Sequence, residues 1–191
     1  MFSTLIQHIS KYVTLTADEQ QILTEYFKYE EVGKKHYLLS EGEVCNEQYF
    51  VVNGCLRMYF IKQNGAEHIV QFGIDNWWLG DYMSIDTKKP SSFFIQAVER
   101  SQILRLSSTN QQRLLERVPK LEHYFMRVMQ KGFGAFQMRI CYLFDMSGEE
   151  QYNLFVDRFP GFVQRVPQYM LASYLGVTPE FLSKIRGKKK I

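Results

Sequence analysis

Residues 166–191 read VPQYMLASYLGVTPEFLSKIRGKKKI, and the fold turns on whether this stretch is a helix-turn-helix. Pro167 suits the first turn of a helix, where a missing N–H loses nothing. Leu171, Ala172 and Leu175 give that helix an apolar face. Gly176 can take the left-handed conformation that ends a helix. Val177 returns to the core, and Thr178 offers an N-cap oxygen. Pro179 and Glu180 then fill the first turn of a second helix, where proline and negative charge are both favoured. At about 100° per residue, Glu180, Ser183, Lys184 and Gly187 share one arc, while Phe181, Leu182 and Ile185 fall on the other side. One face packs and a short polar face points outward, as a helix entering a major groove requires. Arg186, Lys188, Lys189 and Lys190 would lie among phosphates. An ordinary helical hairpin closing a bundle would show the same two helices.

Charge bears on that choice. The 191-residue chain has a formal net charge of +3, unevenly spread. Residues 164–191 hold six Lys/Arg and one acid, leaving 17 basic and 19 acidic residues elsewhere. A positive field gathered on one segment is what a nucleic-acid reader shows, although a lysine-rich end can also be a solvated tail. The length allows one large domain or two small ones. With 46% hydrophobic residues the chain can bury a sizeable core. It has no apolar run long enough to span a membrane, and its start, MFSTLIQHISKYV, lacks the features of a signal peptide. Cys45, Cys55 and Cys141 are scattered, which suggests a reducing compartment and neither a disulfide framework nor a zinc or iron–sulfur site. A cytoplasmic protein without membrane partner is expected. His8, His36, His68 and His123 are also scattered, and no nucleophile triad or phosphate-cradling glycine loop stands out, so neither an enzyme nor a metal protein is expected.

Upstream, residues 2–13 carry a short amphipathic pattern. Thr16-Ala-Asp-Glu19 is a capping box ahead of Ile22, Leu23, Tyr26 and Phe27. Strand patterns follow: Tyr37–Leu39, Tyr49–Val52, Cys55–Ile61, Glu67–Phe72, Phe93–Val98 and Ile103–Leu106. Asn53-Gly54 and Asn64-Gly65 both read as hairpin turns, and many short strands imply an antiparallel sandwich or roll. Trp77 and Trp78 read as roll core. Ser108–Asn110 caps a short helix. Pro119 begins a long one, to about residue 145, with Met126, Met129, Phe133, Phe136, Ile140 and Leu143 at alternating three and four spacing. Leu121, Phe125, Val128, Gly132 and Ala135 form a second stripe beside it. A helix apolar on two stripes must meet two surfaces. One is the roll. The other is either the same helix of a partner chain, through Phe125, Val128, Met129, Gly132 and Phe136, or one wide face buried in a monomer. Ser147-Gly-Glu-Glu150 starts a further helix that ends near Phe159-Pro160-Gly161.

The predicted fold is therefore α+β: an N-terminal antiparallel β-roll, a long connecting dimerisation helix and a C-terminal helix-turn-helix. Glu41-Gly42-Glu43, Val52-Asn53-Gly54, Leu79-Gly80-Asp81 and, most specifically, Ala172–Arg186 resemble the Crp–Fnr family of regulators, in particular the compact members common in the Bacteroidetes. The resemblance covers nearly the whole chain. It implies a cyclic nucleotide-binding-like effector domain of the double-stranded β-helix type (1–118), a dimerisation helix (119–145) and a DNA-binding domain (146–191). It further implies a homodimer that binds palindromic double-stranded DNA, regulates transcription, engages RNA polymerase and answers to an unknown small effector. The base-reading positions fall on Pro179, Glu180, Ser183 and Lys184, with Gln168 and Thr178 as phosphate contacts. Family members often have arginine at the first and last reading positions. Proline has no donor, and Lys184 lacks the rigid guanidinium fork, so the operator should differ. Only Phe159–Val166 is left for a β-hairpin wing, which would be vestigial.

The ligand cassette implied by the resemblance falls on Gly80, Asp81, Ser91 and Ser92. Asp81 is a shorter acid than the family's glutamate, and Ser91-Ser92 stand where an arginine would grip the phosphate. Loss of that charge-assisted bond removes about 1.5–3 kcal/mol, roughly one to two decades of affinity, so tight cyclic-AMP binding is not expected unless Lys88 or Lys89 substitutes. No cofactor is implied, and the family's iron–sulfur branch is disfavoured for want of an N-terminal cysteine cluster. The competing expectation is a small-ligand-binding module that acts through a protein partner without reading DNA.

Overall fold

The computed structural model describes residues 2–188. Lys189 and Lys190, assigned to phosphates above, lie outside them. The chain opens with α1 (Phe2–Ser10) and α2 (Ala17–Tyr26). Thr16 and Glu19 form the capping box that the sequence announces: Glu19 N donates to Thr16 Oγ1, and Thr16 N donates to Glu19 Oε2 at 2.7 Å. Eight strands follow: β1 (Lys28–Val32), β2 (Tyr37–Leu39), β3 (Glu47–Asn53), β4 (Cys55–Ile61), β5 (Glu67–Ile74), β6 (Trp78–Leu79), β7 (Phe94–Ala97) and β8 (Ser101–Ser107). A short helix, α3 (Tyr82–Thr87), interrupts them.

The strands form two antiparallel four-stranded sheets. One has the order β1-β8-β3-β6 and the other β2-β7-β4-β5. Period-two alternation sends Tyr49, Val51, Leu56, Met58, Ile95 and Ile103 into the space between the sheets. Phe50, Trp78, Leu104 and Leu106 point out of the first sheet, where α1, α2, α4 (Ser108–Arg117) and the start of α5 (Leu121–Asp145) cover them. The expected roll is present, as α+β.

Asn64-Gly65 closes the β4–β5 hairpin as expected. Asn53-Gly54 does not make a hairpin. Its flanking strands belong to different sheets, so the turn is a corner where the chain crosses over. Gly54 has φ 120°, donates its N–H to Asp75 Oδ1 at 2.7 Å, and lies so close to Ser101 that a Cβ would collide with it. The dipeptide reports a backbone that needs glycine, and it cannot say which strands are joined. Strands β1 and β6 and helix α3 had no sequence signal strong enough to assign. Each is six residues or fewer.

Helix bounds shift for local reasons. Ser107, not Ser108–Asn110, caps α4, accepting from Asn110 N at 3.1 Å. The long helix begins at Leu121 rather than Pro119. Trp78 is buried as expected, but Trp77 is 39% exposed, its ring edge-on to Phe159. After α6 (Gly148–Arg158), again headed by a capping box from Ser147 and Glu150, the segment proposed as a vestigial wing is a helix, α7 (Pro160–Arg165). Pro160 begins it, and Phe162 is buried against the second sheet while Val163 is buried in the C-terminal core. The chain ends with α8 (Gln168–Leu175) and α9 (Pro179–Lys188). Among the described residues no helix is long and apolar enough to cross a membrane.

Candidate nucleic-acid interface and effector cleft

Helices α8 and α9 build a small head with its own core. Leu171, Ala172, Leu175, Leu182 and Ile185 are buried together with Tyr152 of α6 and Val163 of α7. Pro167 sits at the N-cap of α8 rather than inside its first turn. Gly176 takes φ 71° and gives its N–H to the Ala172 and Ser173 carbonyls, ending α8 in the left-handed conformation. Thr178 Oγ1 accepts from Phe181 N at 3.2 Å and starts α9. Gln168 Nε2 donates to the Pro179 carbonyl at 3.2 Å, tying the N-termini of the two helices together. That bond uses part of the amide assigned to phosphate.

Thr178, Pro179, Glu180, Ser183, Lys184 and Arg186 are all exposed, above a layer formed by Leu182 and Ile185. The structure thus brings the assigned reading residues onto one outward face. Phe181, placed on the packed side by its arc, is 43% exposed and flanks the core against Gly148 at the start of α6.

The head rests on the second sheet of the roll. Phe162, Val166 and Met170 pack on Cys55, Tyr59, Ile69 and Phe72. A polar rim surrounds this patch. Arg165 of α7 reaches Asp75 Oδ2 at 2.8 Å and Glu99 Oε1 at 2.5 Å, and these bonds, Asp75 first, raise its pKa. Ile69 N donates to Ser173 Oγ at 3.0 Å, and that hydroxyl donates to the Glu67 carbonyl at 3.0 Å. Arg139 of α5 donates to the carbonyls of Val70 at 2.6 Å and Tyr174 at 2.8 Å. Since β5 is the open edge of its sheet, Ser173 and Arg139 satisfy backbone groups that no strand pairs. No feature of the sequence pointed to these three residues, because their partners lie 35 to 106 positions away.

The long helix splits in two. Leu121, Tyr124 and Phe125 are buried, Phe125 edge-on to Trp78 at 5.6 Å. Phe125 was assigned to a dimer seam and instead belongs to the core of its own chain, with Val128 packed beside it. One turn fixes the helix to the roll, and the first members of the second stripe supply that turn. Beyond it, Met126, Met129, Phe133, Phe136, Ile140 and Leu143 are each 43–66% exposed, and a Cβ at Gly132 would meet nothing.

The cassette residues Asp81 and Ser91 meet, but they hold one another. Ser91 Oγ donates to Asp81 Oδ2 at 2.6 Å, and Asp81 Oδ1 accepts from Ser84 N at 3.2 Å as the cap of α3. Both side chains are buried, as is Gly80, while Ser92 is exposed. Lys88 Nζ is turned to Ser108 Oγ at 3.1 Å. A larger cleft of about 840 Å³ opens between β5, α5, α6 and α7, with Trp77, Trp78 and Asp81 on its roll side. His8 lies at the same cleft. Trp78 Nε1 can only donate, so Tyr124 OH accepts it at 2.8 Å and passes its own proton to His8 Nδ1 at 2.8 Å. Burial, reinforced by Lys11 and Lys131, lowers the His8 pKa to about 4. Among the described residues no three His, Cys, Asp or Glu side chains gather to hold a metal ion.

The chain thus joins a two-sheet roll, a helix with an exposed apolar stripe, and a helix-turn-helix with an open polar face. Residues 29–118 match the family described as "Cyclic nucleotide-binding domain". The chain is similar to "Regulatory protein HlyX" of Actinobacillus pleuropneumoniae, 27% identical over 168 residues that cover 82% of this chain and 69% of that one. It is also similar to "Fumarate and nitrate reduction regulatory protein" of Vibrio cholerae, 28% identical over 171 residues, with 82% and 66% covered. The chain thus spans about two thirds of the length of these curated relatives. Among solved structures, a CooA mutant from Carboxydothermus hydrogenoformans superposes with a TM-score of 0.70 at 15% identity, over 97% of this chain and 84% of that one. These likenesses support a regulator of the Crp–Fnr type.

Proposed function

We propose that the chain acts as a homodimeric transcription regulator whose two heads read a palindromic operator and whose roll carries a small-molecule signal to them. The observation that carries this reading is the outward face of α9, where Glu180, Ser183, Lys184 and Arg186 stand exposed over the buried Leu182 and Ile185. The exposed three-and-four stripe on α5 supports the dimer, because a repeat of that spacing is buried by a second helix wound along it. In this reading Glu180 accepts from a cytosine amino group and Lys184 reaches guanine or phosphate. Gln168, Thr178, Lys188, Lys189 and Lys190 hold the backbone. Tight cyclic-AMP binding is not expected, since Ser91 stands where an arginine would grip the phosphate and donates to Asp81 instead.

The test is selection of genome fragments by the purified protein, followed by salt titration of the recovered sites. A palindrome with half-sites roughly 34–36 Å apart is expected. Lys184→Ala should weaken specific binding by about 1–3 kcal/mol and leave random DNA little changed. Removing Lys188, Lys189 and Lys190 should weaken both and flatten the salt slope by roughly one unit per lost phosphate contact. Equal losses on both kinds of DNA from both variants would refute this division of roles.

A further inference from the structure

Four arginines among the described residues are sheltered from solvent: Arg57, Arg105, Arg139 and Arg165. Three of them hold carboxylates. Arg57 pairs with Glu67, Arg105 with Glu30 and Glu47, and Arg165 with Asp75 and Glu99. Arg139 has no carboxylate within 4.0 Å among the described residues. Its partners are the carbonyl oxygens of Val70, Tyr174 and Ile69 and the face of the Tyr174 ring, 4.1 Å from its Cζ. Burial lowers its pKa, the direction expected of a cation withdrawn from water without a counter-charge.

Arg139 lines the 840 Å³ cleft, and the charges around it are one-sided. Lys131 and Arg158 also line the cleft. Among the described residues the one acid on its wall is Asp81, whose two oxygens each accept one bond, from Ser84 N and Ser91 Oγ. The rest of the wall is largely apolar and aromatic, with Phe72, Trp77, Phe155 and Phe159. The volume falls in the range of small-molecule sites, roughly 300–1,000 Å³.

We propose that this cleft binds an amphipathic organic monoanion, its carboxylate on the Arg139 guanidinium and its apolar body between β5 and α5. The carbonyls take bonds from Nη1 and Nη2, so the carboxylate engages the Nε–H in a charge-assisted bond and supplies the counter-charge that the chain itself lacks. The same guanidinium ties α5 to β5 and to the head through Tyr174, so an acid that engages it acts on the joint between roll and head. This identification of the signal rests on the reading of the chain as an effector-controlled regulator, but its test needs no DNA.

Trp77 and Trp78 border the cleft, so tryptophan fluorescence follows its occupancy. The full-length protein is titrated with dodecanoate and dodecyltrimethylammonium below their micellar concentrations and with 1-dodecanol below its solubility limit. Dodecanoate should bind saturably, about tenfold or more tighter than the alcohol, with the ammonium weakest. Arg139→Gln keeps an amide donor for the carbonyls. It should bring acid and alcohol to within about twofold of each other without weakening the alcohol. Arg139→Lys keeps the charge and should keep most of the preference, and it serves if the glutamine variant does not fold. Equal affinity of wild type for acid and alcohol overturns the proposal. So does the absence of any saturable response, which would mean that a second copy fills the cleft. Operator binding measured in parallel, with and without dodecanoate, separates the two ideas: its absence under both conditions refutes the regulator reading and leaves the dodecanoate result standing.

Discussion

The two outer faces of the roll are covered in different ways. Over the first sheet, Phe50, Trp78, Leu104 and Leu106 meet Leu5, Ile9, Leu23, Leu114 and Tyr124, and the main polar link inside is the Trp78–Tyr124–His8 chain. Over the second sheet, a smaller apolar patch at Phe72 and Phe162 is ringed by the Arg165 ion pairs, the Ser173 hydroxyl and the Arg139 guanidinium. A face closed by hydrocarbon loses its hydration only once, on folding. A face closed by a polar rim can exchange those bonds for water, as interfaces between domains do. The first cover is part of the fold, and the second is a dock that can be released.

The largest effect should come from breaking the first cover. Leu104 is fully buried. Leu104→Ala should cost ~2–5 kcal/mol and lower the melting temperature of the whole roll by roughly 2–4 °C per kcal/mol. Phe162→Ala, at the dock, should instead split the calorimetric transition, with the head loosening first and the roll melting near its wild-type temperature. A single shifted transition from both variants would make the two covers equivalent and end the distinction.

This contrast was half legible in the sequence. Alternation identified the roll, because Tyr49, Val51, Leu56 and Met58 obey period two within single strands. The head was legible because Leu171, Gly176, Thr178 and Leu182 act within ten or so residues of each other, where capping and periodicity operate. The dock was not. Arg165, Ser173 and Arg139 find partners far along the chain, and no local rule distinguishes them from ordinary surface residues. For the same reason local rules read Asn53-Gly54 as a hairpin and Phe125 as a dimer contact, where only the partner differs. Phe159–Val166 differs in local structure as well, since the expected wing remnant is helix α7. Resemblance puts Asp81 and Ser91 in one cassette, and geometry shows that they bond to each other.

A smaller effect should come from the rim itself. Arg165 and its partners Asp75 and Glu99 are each about one third exposed, so solvent screens their pairing. Arg165→Met should cost only about 1 kcal/mol of overall stability. Hydrogen exchange at Ile69 N, which donates to Ser173 across the dock, should accelerate more than exchange at the Leu104 amide. Raising salt to about 1 M, where the Debye length is ~3 Å, should reproduce part of the acceleration in wild type and add little in the variant. Uniform acceleration across both sheets would show that Arg165 supports the fold rather than the dock.

A further test reads the first cover at His8, whose pKa burial lowers from its ordinary 6.5 to about 4 in the folded chain. Between those two values the unfolded chain binds a proton that the folded chain excludes. Stability therefore rises with pH across the window. The contribution is fully present above pH 6.5 and is lost as pH falls toward 4. Protonation would place a hydrogen on Nδ1, where Tyr124 OH donates, and would set a third positive charge beside Lys11 and Lys131. His8→Gln, whose amide oxygen can still accept from Tyr124, should flatten the slope of denaturation free energy between pH 4 and 6.5. Exchange at the dock amides should keep its wild-type pH dependence once intrinsic exchange is corrected for. If the dock loosened in step with His8 protonation instead, the two covers would be coupled through α5, which carries Tyr124 at one end and Arg139 further along.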